Sequence, residues 1–271
     1  FRLKLIICFI LCAILPLLIL GTISYKISYN IAKDKILKET AISCEKNQHL
    51  LENRMTQIEN LEDSIHFNLC MLCTTAEQPM SNYLDKLSAV RNNIASIADS
   101  FNIYHVNIFL PDDTFASKEG LTFCSLSDLK KYKVQLSDFS KQGLTPNWIF
   151  RKDINFPYMV SKGEEPSGVL SCYRYAKINS QKTCLAVHIT SEELSNYLNT
   201  FSEGNPSLSY IINSEGVVLS STDKKQIGGS LSNEKLHAIT QNLRLSHFSY
   251  DKCEIISTPV HNQLFLVTET P

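Results

Sequence analysis

The sequence predicts an α+β protein that consists of an N-terminal transmembrane helix, a long helical stalk and two units built on antiparallel sheets. Three observations predict this class: an uncharged run near the N-terminus, a polar segment of helical periodicity behind it, and an order of helix followed by strands that occurs twice. The predicted boundaries are 1–25 for the transmembrane anchor, 26–79 for the stalk helix, 80–203 for the first sheet unit and 204–271 for the second.

The anchor is predicted from Leu5–Ile23, which is a run of 19 residues without a charge. A helix of this length spans roughly 28 Å, close to the thickness of the hydrocarbon core of a bilayer. Arg2 and Lys4 precede the run, which favours a cytoplasmic N-terminus and places the chain after Lys26 outside. The alternative is a cleaved signal peptide, but its apolar region is only about 7–15 residues long. The sequence therefore favours an uncleaved anchor in the cell membrane.

The stalk is predicted from residues 26–76, which contain neither Gly nor Pro. Apolar residues recur there at steps of three and four, which predicts a helix that buries a narrow stripe. The stripe consists of Leu37, Ala41, Cys44, Leu51, Met55, Ile58, Ile65 and Leu69. An unbroken helix would measure roughly 75 Å. We expect it to pack along the units that follow, to pair with a second copy in a homodimer, or to do both over different stretches.

The first sheet unit begins after Pro79, which breaks the stalk, with a second helix at about 80–100. The pattern then changes to strands separated by turn residues. The predicted elements are strands at 103–110, 147–151, 168–178 and 183–189, with a short helix at 126–131. Thr190 and Glu193 form a capping box that predicts a connecting helix at 190–201. Gly204-Asn205-Pro206 ends that helix and marks the boundary between the two units.

The second unit repeats the order in a shorter form. A hairpin is predicted from strands 208–212 and 217–221 around the turn 213–216. A helix at 233–243 and strands at 247–258 and 263–268 follow.

Composition excludes some functions. Residues 26–271 carry 24 basic and 27 acidic residues, and this balance predicts no nucleic-acid binding. Seven cysteines lie outside the apolar run, and an odd number at irregular spacing does not form a disulfide framework. One bridge stays open: Cys172 and Cys184 flank a predicted turn at 179–181, where two hairpin strands could bring them opposite each other.

Three stretches resemble the double Cache sensor region, a pair of extracytoplasmic PAS-like modules, in the version of YesM-like sensor histidine kinases. They are the anchor L-K-L-I-I…I-L-P-L-L-I-L-G-T-I-S-Y with its internal Pro16, the segment Y-I-I-N-S-E-G-V-V-L-S from Tyr210, and the closing Leu264–Pro271. The resemblance implies that the membrane-distal unit, at about 80–189, holds a ligand pocket and that the proximal unit relays motion. It also implies a second membrane span just past Pro271, a cytoplasmic output and a homodimer.

Six aromatic or polar residues of the first unit are the candidate ligand contacts, because such side chains combine contact area with an orienting hydrogen bond. They are His105, Asn107, Trp148, Tyr158, Tyr173 and Tyr175. The alternative for each is an ordinary place in the core or on the surface of a sheet.

Amino-acid-binding members of this fold carry an Arg two residues before a Trp-Tyr pair and a later Asp. Here Pro146 stands two residues before Trp148, Ile149 follows it, and no Asp occurs between Ile154 and Thr190. The resemblance therefore argues against a free amino acid as ligand and leaves an unknown small molecule or a solute-binding protein as the partner.

Signatures of catalysis are missing from the sequence, which contains no G-x-S-x-G, H-E-x-x-H or G-x-x-x-x-G-K-[ST]. His66, Cys70 and Cys73 have the spacing of three metal ligands, but thiols on a helical packing stripe explain them better. We therefore expect no enzyme activity, cofactor or metal within these residues. The expected function is the sensing region of a histidine kinase. The alternatives are a chemoreceptor, a membrane-bound AraC-type regulator, an anchored extracellular binding protein and an anchored hydrolase.

Overall fold

The structure is a computed structural model. It describes residues 2–73, 80–111, 122–132, 147–152, 165–178, 181–198, 207–243, 247–261 and 264–271. The chain divides into two compact units, Phe1–Ser43 and Cys44–Pro271. Helix α1, Arg2–Cys73, contributes residues to both of them.

The first unit is the N-terminal part of α1. Large apolar side chains between Ile14 and Ile31 are exposed on every side of the helix, as in a helix whose surroundings are lipid. Thr22 satisfies its hydroxyl within the helix by donating to the carbonyls of Leu18 and Ile19, both at 2.9 Å. By length and composition, α1 is the one helix of the described residues that could cross a membrane.

In the second unit, α1 buries the predicted apolar stripe. Cys44, Leu51, Met55, Ile58, Ile65 and Leu69 are all buried. The helical periodicity predicted from the sequence is therefore confirmed in this part of the stalk. Helix α2, Met80–Ser100, has the predicted bounds, whereas 74–79 and the predicted break at Pro79 lie outside the described residues.

Sheet 1 has five strands in the order β2-β1-β5-β4-β3. Their bounds are β1 His105–Leu110, β2 Phe123–Ser125, β3 Asn147–Arg151, β4 Val169–Ile178 and β5 Gln181–Thr190. Neighbouring strands are antiparallel except β1 and β2, which are parallel. Strand β2 was not predicted because three residues are too few to show a strand pattern. The short helix predicted at 126–131 is confirmed as a 3-10 helix, Leu126–Tyr132.

Helix α3, Ser191–Asn196, connects the two sheets, and its N-cap is the predicted Thr190. The Thr190 hydroxyl accepts the backbone N–H of Glu193 at 3.1 Å, which satisfies one of the free donors at the helix start. The helix ends at Asn196, earlier than the predicted residue 201, and 199–206 lie outside the described residues.

Sheet 2 is antiparallel, with the strand order β7-β6-β10-β9-β8. Its elements are β6 Leu208–Ile212, β7 Val218–Ser221, α4 Asn233–Gln241, β8 Phe248–Tyr250, β9 Cys253–Val260 and β10 Leu264–Thr270. The single strand predicted at 247–258 is wrong, because Asp251 and Lys252 turn the chain with φ of 47° and 66°. Two successive positive φ values are typical of a two-residue hairpin turn, which usually contains Gly, and neither residue here gives that signal.

A buried pair of serine hydroxyls joins the two sheet units. Ser191 on α3 donates to the Leu219 carbonyl of β7 at 2.6 Å, and Ser220 of β7 donates back to the Ser191 carbonyl at 2.7 Å. Both serines are fully buried. Gly168 lies beside them, and a Cβ there would come within 2.6 Å of the Phe150 ring, so this close approach requires glycine.

Candidate functional site

One face of sheet 1 contacts α1, and we call it the helix face. Trp148 Nε1 donates to Glu59 Oε1 at 3.1 Å, and Arg174 Nε lies 3.3 Å from Glu62 Oε2. The opposite face, which we call the far face, carries the residues one position away along each strand.

Strand register assigns residues to the far face, because directly paired residues of neighbouring strands lie on the same side of a sheet. The pairs are His105 with His188, Asn107 with Ala186, Ser171 with His188, Tyr173 with Ala186 and with Asn147, Tyr175 with Cys184, and Arg151 with Val169. Sheet 1 therefore brings together four of the predicted contacts, His105, Asn107, Tyr173 and Tyr175. Trp148 lies on the helix face, away from them, and Tyr158 lies outside the described residues.

His188 is the centre of a buried hydrogen-bond network on the far face. Its Nδ1 lies 2.7 Å from Ser171 Oγ, and its Nε2 lies 2.8 Å from Asn107 Oδ1. The Asn107 amide nitrogen, Nδ2, donates to Cys124 Sγ at 3.5 Å, so the atom that faces His188 is the amide oxygen, Oδ1, which can only accept. The geometry thus assigns the proton to Nε2 and makes Nδ1 the acceptor of the Ser171 hydroxyl.

His188 is neutral in this network. Burial lowers the pKa of His188 well below its usual value, and the charges of His105 and Arg151 lower it further. The His105 ring stacks near the His188 ring at 6.4 Å, and the Tyr173 ring meets it edge-on at 6.1 Å. The network of His188, Ser171 and Asn107 is therefore a buried, hydrogen-bonded and uncharged platform.

The Tyr173 hydroxyl is the buried polar group that this platform leaves unsatisfied. Tyr173 is fully buried, and no residue of the described chain forms a hydrogen bond with its hydroxyl. Ser171 lies near enough to affect the phenol, but it donates its O–H to His188, and its oxygen does not form a hydrogen bond with the Tyr173 hydroxyl. Burial raises the pKa of Tyr173 to about 12 against the opposing charge of Arg151. The group is therefore a protonated donor that lacks an acceptor.

Arg151 brings a positive charge to the same face at the end of β3. Its charge acts on the pKa values of both Tyr173 and His188, so the guanidinium lies on their side of the sheet. Within the described part of the chain, no carboxylate pairs with it. The sequence reasoning missed Arg151 and His188, because only the register of β3, β4 and β5 shows that they share a face with Tyr173.

Sheet 2 offers a contrasting cluster whose polar groups satisfy one another. The Tyr210 hydroxyl donates to the Glu269 carboxylate, and Lys235 Nζ lies 2.6 Å from the same carboxylate. Lys235 Nζ also lies 5.8 Å from the centre of the Tyr210 ring. This cluster is balanced in charge and bonded internally, so it leaves little for a ligand to satisfy.

A shallow groove of about 470 Å³ lies between the end of α2 and the start of α3, and it includes the carboxylates of Asp99, Glu192 and Glu193. Glu193 is paired with Arg54 at 3.3 Å, and Glu192 accepts the Ser167 N–H at 2.9 Å. These bonds give both glutamates a structural role at the start of α3.

The cysteines give neither a bridge nor a metal site in the described chain. Cys172 pairs with Val187 and Cys184 with Tyr175, so the two thiols lie on opposite faces of sheet 1 and both are free. The bridge considered from the sequence is therefore excluded by register. His66 Nε2 lies 3.7 Å from Cys70 Sγ, but no group of three candidate metal ligands occurs among the described residues.

Comparison with solved structures shows the fold. The ligand-binding domain of the Campylobacter jejuni chemoreceptor Tlp3 in complex with L-valine is 13% identical, with 88% of this chain and 94% of that chain covered and a TM-score of 0.59. The periplasmic sensory domain of C. jejuni Tlp1 is 14% identical, with coverage of 84% and 92% and a TM-score of 0.60. The extracellular domain of rpHK1S-Z16, a proposed histidine kinase, is 15% identical, with coverage of 90% and 96% and a TM-score of 0.57.

The chain has the double Cache fold. Its α+β class, with a long N-terminal apolar helix and two sheet units, is as predicted. No protein-family model matches the sequence, and no curated protein does. At these identities the likeness concerns the fold, and the double Cache units of this chain are sheet 1 and sheet 2 with their helices.

Proposed function

We propose that this chain is the extracytoplasmic ligand-sensing region of a bacterial transmembrane signal transducer whose output is a histidine kinase. One observation carries the proposal: sheet 1 presents a buried, preorganised polar network on its far face, and that network leaves the Tyr173 hydroxyl unsatisfied. Buried polar groups are normally hydrogen-bonded, so an unsatisfied donor beside this platform suits a ligand that completes it.

The membrane arrangement follows from the anchor. The apolar start of α1 crosses the cell membrane at Leu5–Ile23, the sheets lie outside, and a second span follows Pro271. As the resemblance to double Cache regions implies, we assign sheet 1 as the membrane-distal sensing unit and sheet 2 as the membrane-proximal relay. The internally bonded cluster of sheet 2 supports that division of roles.

A homodimer is part of the proposal. Phe67 and Met71 are spaced by four residues on α1 and are 65% and 57% exposed, on a helix whose other side is buried. Residues four apart share a helix face, so these side chains form an apolar strip suited to a second copy.

The ligand is proposed to be a small molecule held on the far face. The C. jejuni Tlp3 domain is described in complex with isoleucine and with L-valine, and Mlp24 with asparagine. These proteins support a small polar ligand in the same fold. The second candidate output is a chemoreceptor, which the Tlp1 and Tlp3 likeness favours. The domain encoded after residue 271 distinguishes the two outputs.

The experiment is a thermal-melt screen of the 271-residue chain in lipid nanodiscs against sugars, amines, amino acids and organic acids. We expect at least one compound to raise the melting temperature, because a ligand at a hundred times its Kd stabilises the folded state by about 2.7 kcal/mol. Tyr173→Phe should reduce that rise, and Tyr250→Phe in sheet 2 should leave it unchanged. Failure of every class of compound to stabilise the chain would contradict a small-molecule sensor.

A further inference from the structure

We propose that the far face of sheet 1 binds a small carboxylate that lacks an ammonium group, held by Arg151 and by the Tyr173 hydroxyl. This inference rests on the proposed sensing function and names the chemistry of its ligand. Arg151 is the residue that gives the site its preference.

Unsatisfied donors are the first argument. The guanidinium of Arg151 carries N–H donors and has no acceptor atom of its own. The phenol of Tyr173 stays protonated, because burial raises its pKa to about 12. The neighbouring acceptors, Asn107 Oδ1 and His188 Nδ1, are already occupied within the network. A ligand that meets this face with acceptor oxygens therefore fits the free groups.

Charge is the second argument. Arg151 is half-buried and has no carboxylate partner among the described residues, and a cation withdrawn from water is unfavourable until it is paired. Among the described strand residues of this face, the two other cations, Lys177 and Lys182, lie at the exposed hairpin end of β4 and β5. A bound carboxylate would supply the missing negative charge through a bidentate, charge-assisted contact.

The strands give no corresponding place for an ammonium group. None of the described strand residues on the far face is acidic. This set consists of His105, Asn107, Phe109, Cys124, Asn147, Ile149, Arg151, Val169, Ser171, Tyr173, Tyr175, Lys177, Lys182, Cys184, Ala186, His188 and Thr190. An ammonium would also lie beside Arg151 and meet like charge. An amino acid is thus disfavoured relative to its deaminated counterpart.

The test measures affinity by calorimetry with the 271-residue chain in lipid nanodiscs. The probes are acetate, lactate, succinate and a matched set that shares one carbon skeleton: 3-methylbutanoate, L-valine and L-valinol. We expect a carboxylate to bind and L-valinol not to bind, and we expect 3-methylbutanoate to bind at least as tightly as L-valine. Binding of L-valine more than tenfold tighter than 3-methylbutanoate would overturn the proposal.

Variants identify the residues. Arg151→Gln should weaken carboxylate binding by about tenfold or more, because it removes a charged hydrogen-bond partner. Arg151→Lys should recover part of the loss, since the charge returns without the planar fork. Tyr173→Phe should weaken binding several-fold. Lys182→Gln is the matched control, because it removes one positive charge from the exposed end of the same face and should leave the affinity unchanged.

Each failure has a distinct meaning. If a sugar or an amine binds and Arg151→Gln does not change its affinity, the carboxylate proposal is wrong while the sensing function stands. If no compound of any class binds, the sensing function fails as well. A melt of each ligand-free variant shows whether it is folded. If Arg151→Gln does not fold, Arg151→Lys keeps the test decisive.

Discussion

Replacing Glu62 with Gln should make the protein more stable at alkaline pH. Glu62 is fully buried on α1 against the helix face of sheet 1, with Arg174 at 3.3 Å. Burial raises the pKa of Glu62 from 4.5 to about 8, and the opposing attraction of Arg174 does not cancel this effect. A raised pKa in the folded state means that folding favours the protonated carboxyl. The contribution of the protonated Glu62 carboxyl to stability is therefore fully present below pH 4.5 and declines as the pH rises toward 8.

The size of the effect follows from the shift. One pKa unit corresponds to about 1.4 kcal/mol, so a change from 4.5 to about 8 limits the loss of stability to about 5 kcal/mol above pH 8. Glu62→Gln removes the titration and keeps the shape of the side chain. It does not leave Arg174 isolated, because Asp63 also pairs with that guanidinium.

The assay is urea unfolding in lipid nanodiscs between pH 5 and pH 9, followed through Trp148, the single tryptophan of the chain. Glu62→Gln should unfold at higher urea than the parent at pH 9, and the difference should shrink toward pH 5. Asp63→Asn is the control, because Asp63 is 62% exposed and an exposed ion pair contributes about 1 kcal/mol or less. A variant that loses more stability at pH 9 than at pH 5 would show that Glu62 is the ionised partner of Arg174 and refute the reasoning.

Three further predictions concern contacts around sheet 1; urea unfolding tests the first two and Trp148 emission tests the third. Thr190→Ala should lower stability by about 1 kcal/mol, because it removes the N-cap of α3; no change would contradict the role of the cap. Ser191→Ala should cost about 1–3 kcal/mol, because the buried Leu219 carbonyl loses its hydroxyl donor, whereas Ser195→Ala at a half-buried position should cost less. Glu59→Ala should change Trp148 emission, because the indole N–H loses its acceptor, and an unchanged spectrum would argue against that bond.

Much of the fold could be predicted because its signals are local. Strands Asn147–Arg151 and Leu208–Ile212 and helix Met80–Ser100 have the predicted bounds, since apolar periodicity and flanking turn residues define them. The Asp251-Lys252 turn was missed because it depends on positive φ at residues that seldom adopt it. The three-residue strand Phe123–Ser125 was missed because its only support is a parallel partner far away in the sequence.

The candidate site was predictable by residue type but not by side of the sheet. His105, Asn107, Tyr173 and Tyr175 share the far face, and their contact with a ligand stays a prediction. Trp148 lies on the helix face because its neighbour Asn147 pairs with Tyr173. A shift of one residue in register would exchange the two faces. That register is a property of pairing between β3 and β4, and no local pattern in the sequence specifies it.

The contact of Trp148 with α1 suggests a route that couples the two sheets. Glu59 Oε1 accepts Trp148 Nε1 at 3.1 Å and His261 Nε2 at 2.8 Å, so one oxygen on α1 is bonded to β3 of sheet 1 and to the residue that follows β9 of sheet 2. Arg151 lies three residues from Trp148 on the same strand and on its opposite face. Under the proposed sensing function, a ligand that draws β3 toward the far face would strain the Trp148 bond and leave the His261 bond in place. Because a ligand shifts an equilibrium only by its preference for one state, the difference between these two bonds is where ligand binding would begin to act on sheet 2.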